Sequence, residues 1–362
     1  MHWSYDGRYL FVSNNCAVET GKLLQEGVPR WADPGLNRLS PGGLLRRLER
    51  QGRADGAVLD DRREAMRLGY YFPSAQAHYQ QLFDDYQYVA RRSLLSGLHV
   101  HVEVPAELDR IRVMNEVLPW TPLLLALSCS SPFWQGEDSG FASYRQTACD
   151  EWPRMGVPEY LEDQRAYDDY VSFLIANGAM NKASGCWWGV RPSSSYPTLE
   201  LRMTDACPRL NDALSLASLF RVLVAYAIAK PRAGADYSAT SRWILMENRW
   251  RAKRSGINAM FLMEGFDRAF TLEQWLFMAE QVLGETARSL SVEDVFDALR
   301  HIIREGSSAG RQRVVYQASI SSGRQPREAL SQVVDHLLME TASAQQRDMR
   351  QALGNSTVKV VP

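Results

Sequence analysis

The chain has 362 residues, 45% of them apolar and 23% charged, with a net charge of −1. That length suffices for one large domain or two ordinary ones, and the even charge balance excludes nucleic acid and anionic membrane as charge-driven partners. The five cysteines are odd in number and no two sit at metal-finger spacing, which points to free thiols in a reducing cytosol.

The opening Met1-His2-Trp3-Ser4-Tyr5-Asp6 has no basic region followed by an apolar stretch, so it does not read as a signal peptide. Residues 1–72 are irregular, with a short strand over 9–12 and a helix after Ser40-Pro41 as the elements the pattern supports. Ser74 is placed to cap a helix reaching about Ser96, in which Tyr79, Leu82, Phe83, Tyr86 and Val89 recur at helical spacing as core. Gly97 ends that helix, and Leu98-His99-Val100-His101-Val102-Glu103-Val104 alternates strictly, as a half-buried strand does. A helix follows over 106–131. Residues 132–158, rich in aromatics, Gly and Pro, read as a long ordered loop whose aromatics favour self-association.

Further on, 167–177 reads as helix, and 186–190 and 198–204 as two strands joined by a Pro-Ser turn. From about 211 to 350 the chain is mostly helical. Thr271-x-x-Gln274 and Ser291-x-x-Asp294 resemble helix-start patterns, and Leu330, Val333, Val334, Leu337 and Leu338 form one apolar stripe. The apolar runs at 123–127 and 219–229 are too short or too interrupted to span a bilayer. Residues 351–362 read as a loose tail.

Four groups of residues could carry chemistry. His99, His101 and Glu103 project from one strand face at steps of about 7 Å. They would bind a metal ion, or simply form the solvated side of an amphipathic strand. Glu200, Arg202 and Thr204 share a face of a later strand. There the pair is either a surface ion pair or a carboxylate for a cation beside an Arg for a phosphate or carboxylate. Arg145 would clamp an anion, or pair with the nearby Glu137 or Asp138. Glu247-Asn248-Arg249-Trp250-Arg251 reads as a helix surface with the Trp folded inward. No phosphate-cradling loop, nucleophile elbow, zinc-protease helix or dinucleotide fingerprint is present.

In this order, Gly97-Leu98-His99-Val100-His101-Val102, LALSCSSPFWQG at 125–136, Ser143-Tyr144-Arg145, the segment 187–205, ENRWRA at 247–252 and GSSAGRQ at 306–312 resemble the type-2 glutamate–cysteine ligases, or carboxylate–amine ligases. The resemblance implies an α+β fold over 1–350, with an antiparallel sheet of the glutamine-synthetase type and packed helices. It implies ATP-dependent joining of a glutamate-like carboxylate to cysteine or another amine through an acyl phosphate, with Mg²⁺ at the phosphates. By motif, His101 and Glu200 would lie at the metal–nucleotide site, while Glu103, on one strand face with His99 and His101, would create a different metal site. Arg191 and Arg202 would lie toward phosphate or substrate carboxylate, with Arg145 beside them.

The departures from the family pattern concern acidic residues. Where the family opens on a strand with two glutamates, the best local match is Phe11-Val12-Ser13-Asn14-Asn15-Cys16, so hydroxyl and amides replace carboxylates. The glycine after the His strand is Glu103, and an Asp of the Trp-Trp-Asp motif is Gly189. Three readings follow: a working ligase with a remodelled metal site, a non-catalytic homologue that binds a small molecule or partners an active ligase, and a metal-dependent hydrolase using His99, His101 and Glu103.

Overall fold

A computed structural model describes residues 2–5, 8–13, 77–91, 95–230 and 238–355. The expectations for the Ser40-Pro41 helix, the Ser74 cap and the end of the tail lie outside the described residues. The architecture is α+β, as expected. A five-stranded antiparallel sheet has the order β1 (His2–Tyr5), β2 (Arg8–Ser13), β3 (His99–Glu103), β7 (Thr198–Leu201), β6 (Val190–Pro192). Strand β3 forms where the alternation predicts it. Val100 and Val102 are buried on one face, and His99, His101 and Glu103 are half-buried on the other.

The back of the sheet carries the core. Helix α6 (Leu210–Ala229) packs behind β3, and α2 (Arg110–Val117) packs against β6 and β7. In α6, Leu216, Leu219, Phe220 and Leu223 follow the helical period and are buried, each burial worth about 1.5–3 kcal/mol. This helix is longer than the apolar run in the sequence. It is long and apolar enough to cross a membrane, yet half of it is buried inside the fold, as suits a core helix. Asp109 ties two helices together: Oδ1 accepts from the Ile111 and Arg112 amides at the start of α2, and Oδ2 from the Gln164 amide at the start of α5 (Gln164–Ala176).

Several expectations are corrected. Helix α1 (Ala77–Arg91) ends earlier than Ser96 and is kinked at Gln87 (φ 44°), and Leu82, Phe83, Tyr86 and Val89 are half-buried rather than core. The single helix over 106–131 is two, α2 and α3 (Thr121–Ser128), joined by a 3₁₀ turn at Leu118–Trp120. Pro119 and Pro122 explain the break, since neither donates a backbone hydrogen bond and both suit a helix start. The stretch 132–158 is not all loop. It holds a hairpin, β4 (Phe133–Trp134) and β5 (Glu137–Asp138), then α4 (Tyr144–Cys149). Its aromatics pack against other rings: Trp134 is tilted against Tyr144 with centroids 5.0 Å apart, and Phe141 meets Trp250 of a later helix edge-on at 5.6 Å. Residues 186–189 lie outside strand β6, and residues 202–204, expected in the second strand, lie beyond the end of β7.

The C-terminal half is helical as expected: α7 (Ala239–Ser255), the short pair β8 (Met260–Phe261) and β9 (Phe270–Thr271), α8 (Leu272–Ser289), α9 (Val295–Glu305), α10 (Ser308–Ser321) and α11 (Pro326–Asn355). Thr271 and Gln274 form a complete capping box. Ser291 does not cap α9. It adopts a left-handed backbone (φ 54°), and the residue before the helix is Asp294, with no side-chain cap. On α11 Val333 is buried but Val334 is exposed, so the stripe is narrower than the sequence suggests. In α7 the inward residues are Asn248 and Arg249, while Trp250 faces outward, the reverse of the expectation.

Candidate functional site

Antiparallel register aligns one row across the polar face of the sheet: Phe11 opposite His101, His101 opposite Glu200, Glu200 opposite Arg191. Directly opposed residues project to the same side, so the strand pairing alone brings His101, Glu200 and Arg191 together from segments far apart in sequence. The next register position pairs Ser13 with His99.

Glu200 is the hub of this row. Arg191 Nε donates to its Oε2 at 2.8 Å and Arg202 Nη1 to its Oε1 at 2.5 Å. His99 Nδ1 and His101 Nε2 each lie 3.6 Å from Oε1. Arg191 is itself held by the carbonyls of Ser184 at 2.8 Å and Cys186 at 2.5 Å. His101 Nδ1 sits 3.0 Å from the Thr198 hydroxyl. Arg202 Nε is buried without an acceptor.

The electrostatics follow from this packing. Burial pushes the Glu200 carboxyl up, but Arg202 and Arg191, helped by the two imidazoles, outweigh it and bring it down to about 2. Burial pushes His99 well below the ordinary imidazole value, with Arg202 and Arg145 adding to the effect against Glu200. Burial also lowers His101, with Glu200 opposing. At neutral pH the site therefore holds an ionised carboxylate, two guanidinium groups and two neutral imidazoles.

Arg145 lies beside this row but not as an open anion clamp. Its Nη1 donates to the carbonyls of Met203 (3.3 Å) and Thr204 (3.1 Å), and its Nη2 to that of Arg202 (3.1 Å). It does not pair with Glu137 or Asp138; Asp138 is bound by Arg313. Its acidic neighbour is Asp205, 3.8 Å away. Asp205 is fully buried and accepts from Ser130 N (3.0 Å), Ser131 Oγ (2.8 Å) and Ser143 Oγ (2.8 Å). Asp205 is a residue of this site that the sequence pattern did not single out. Its signal was an acid directly after the Glu200–Thr204 strand pattern, facing a Ser-rich segment.

Gly189, where the family resemblance leads one to expect Asp, is packed tight. Its amide donates to Gly156 O at 2.6 Å, and its carbonyl accepts from the amides of Arg202 (2.7 Å) and Met203 (3.0 Å). A Cβ here would lie 2.6 Å from Met203 Cε. Met203 thus fills the space that a side chain at 189 would need.

Glu103 stands opposite Thr198 in register, on the same face as His101, with Oε2 buried and unpartnered. Among the described residues no group of three or more His, Cys, Asp or Glu is arranged to hold a metal ion. Magnesium needs near-octahedral hard oxygen donors. Here both oxygens of Glu200 are already bound by guanidinium groups, imidazole is a poor donor for this ion, and Glu103 is a single further carboxylate. The described residues therefore do not fit Mg²⁺.

Comparison with known proteins agrees with the motif order. Residues 56–336 match glutamate-cysteine ligase family 2. A Pseudomonas fluorescens protein provisionally named glutamate–cysteine ligase 2 is 55% identical over 271 residues, covering 75% of this chain and 70% of its own length. An Ectopseudomonas mendocina protein of the same provisional name is 46% identical over 265 residues, 73% of this chain and 69% of its own. Among solved structures, a glutamate–cysteine ligase from Francisella tularensis in complex with AMP shares 11% identity at a TM-score of 0.48, covering 75% of this chain and 72% of its own. A bifunctional glutathione synthetase from Pasteurella multocida shares 14% at a TM-score of 0.48, covering 75% of this chain and 39% of its own. With the family match spanning most of the chain and relatives this similar in sequence, the chain belongs to glutamate-cysteine ligase family 2.

Proposed function

We propose that this protein is an ATP-dependent carboxylate–amine ligase acting in the cytoplasm on a glutamate-like carboxylate and cysteine or another small amine. The observation that carries the reading is the Arg191–Glu200–Arg202 arrangement on the sheet face, in a chain of this family. In the reaction a carboxylate oxygen attacks the γ-phosphorus of ATP, and ADP leaves. The amine nitrogen then attacks the acyl carbon of the resulting acyl phosphate, phosphate leaves, and the nitrogen loses a proton.

Each protein group has a part to which its position is suited. Arg202 and Arg191 offer positive charge where an oxyanion carries negative charge. Glu200 holds both guanidinium groups at fixed distance, which lowers the cost of ordering them when substrate arrives. His99 and His101, kept neutral, can donate or accept a hydrogen bond without adding a charge. Arg145 and Asp205 fix the backbone that carries Arg202.

A second reading is a homologue with impaired catalysis that binds a small molecule or partners an active ligase. It is favoured by Ser13, which occupies the register position beside His99 where the family resemblance expects a carboxylate. ADP release from ATP, measured across a panel of glutamate-like acids and amines, separates the two. Turnover that Arg191→Gln and Arg202→Gln abolish supports the ligase. No turnover with any pair, from a folded sample, supports the binding subunit.

A further inference from the structure

We infer that the Arg191–Glu200–Arg202 clasp binds an oxyanion, a carboxylate or a phosphate, directly and without an intervening divalent metal ion. The inference rests on the ligase reading of the same site and concerns how its negatively charged ligand is held.

Charge at the hub is the first argument. One carboxylate meets two guanidinium groups: Arg191 Nε at 2.8 Å on one oxygen and Arg202 Nη1 at 2.5 Å on the other. A divalent cation at Glu200 would have to share those oxygens with two positive side chains close by. An anion meets the opposite situation, because two cations around one carboxylate leave a positive surplus.

The unused donor is the second. Arg202 Nε is buried and has no acceptor. A buried donor without a partner is destabilising, and an arriving oxyanion would satisfy it. Guanidinium groups suit this task, since their planar fork matches carboxylate and phosphate oxygens.

Register supplies the third. On β2 the positions facing His101 and His99 are Phe11 and Ser13, so the neighbouring strand adds no carboxylate at either place. Glu103 stands one step beyond His101 on β3, opposite Thr198. Its free oxygen makes it the described residue best able to attract a cation on this face, but it lies about 7 Å along the strand from His101, and among the described residues it belongs to no group of three or more His, Cys, Asp or Glu arranged to hold a metal ion.

The test is calorimetric titration of the full chain with inorganic phosphate and, separately, with glutamate, in EDTA and again in millimolar Mg²⁺. At least one anion is expected to bind in EDTA, with affinity changed by Mg²⁺ within about threefold. Arg202→Gln is expected to weaken that binding at least about tenfold, and Arg202→Lys less, because lysine keeps the charge but not the fork. Binding of phosphate alone would identify a phosphate subsite, and binding of glutamate alone a carboxylate subsite. Anion binding that appears only with Mg²⁺ overturns the inference, as does failure of both anions to bind in EDTA.

Thermal unfolding with Mg²⁺ alone provides a check that needs no variant to fold. No rise in Tm is expected, and a rise that Glu103→Gln removes would overturn the inference in favour of a metal site at Glu103. The two readings fail separately. Metal-free anion binding without ADP release removes the ligase and leaves the clasp. ADP release with strictly Mg²⁺-dependent anion binding removes the clasp and leaves the ligase.

Discussion

The guanidinium of Arg145 lies directly on Gly97: a Cβ at residue 97 would stand 2.3 Å from Nη2 and 2.6 Å from Cζ. Gly97 precedes the His strand and bridges to Asp205, while Arg145 holds the carbonyls of residues 202–204. The missing side chain at 97 therefore lets one buried Arg bind the backbone just past β7, in the segment that carries Arg202. Gly97→Ala is expected to displace Arg145 and destabilise the fold by about 1–3 kcal/mol, the usual cost of overpacking a buried site. Chemical denaturation measures the loss. An unchanged midpoint would show that Arg145 relocates freely.

Asp205 anchors three donors from the 130–143 segment. Asp205→Ala would leave Arg145 buried beside no acid and strand those hydroxyls. Breaking a buried charged pair in this way costs about 3–5 kcal/mol. Asp205→Asn, which keeps the shape and one acceptor, is expected to cost less. If both variants match the parent in urea, the network contributes nothing to stability.

The acid limb of stability is expected to carry the signature of Glu200. Its carboxyl falls from an ordinary value of 4.5 to about 2 in the folded chain, so the unfolded chain binds more protons between those values. Stability from this group is complete above about pH 4.5 and is lost as pH falls through about 2. The shift corresponds to roughly 3 kcal/mol at 1.36 kcal/mol per pKa unit. Glu200→Gln should flatten that limb in a pH series of denaturation curves. An identical pH slope in the variant would sink the assignment.

His99 is expected to stay neutral below the pH at which an exposed imidazole charges, because burial and then Arg202 and Arg145 lower its pKa. Stability from the neutral form is complete above the ordinary imidazole range and declines as pH falls toward the lowered value. Removing one cation should reverse part of the shift, so the His99 resonance in Arg202→Gln titrates at higher pH than in the parent by NMR. No movement would mean that burial alone sets it.

Gly189 and Met203 are expected to couple. Gly189→Asp places a Cβ 2.6 Å from Met203 Cε and 3.2 Å from Gly156 O, so the substitution should destabilise the chain by about 1–3 kcal/mol. Met203→Ala costs cavity energy alone but makes room at 189. The double variant should therefore be more stable than the sum of the singles predicts, by about 0.5–3 kcal/mol. Simple additivity would show that the Gly156 carbonyl, rather than Met203, blocks the site.

The local elements were legible where a short-range rule was strong. The His99–Glu103 alternation made a strand because successive side chains face opposite ways, and Val100 and Val102 are buried as that rule demands. The Thr271–Gln274 box capped its helix, since the partners are three residues apart and need nothing else. The rule failed where a proline or a turn intervened, as at Pro119, or where a longer contact set the outcome, as with Arg249 turned inward onto Gln146 and Asp150.

The sequence by itself determined where the polar candidates sit: His99, His101 and Glu103 on one strand, Glu200 and Arg202 close together in a later segment. It also determined the family, because six motifs in order do not need coordinates to be recognised. Only the tertiary structure decided what those residues do to one another. Register across the sheet placed Glu200 between Arg191 and His101, and burial turned Arg145 from a candidate anion clamp into a clasp on backbone carbonyls. The reason is that pairing partners, solvent exclusion and the satisfaction of each donor are set by residues distant in the chain, and no local pattern encodes them.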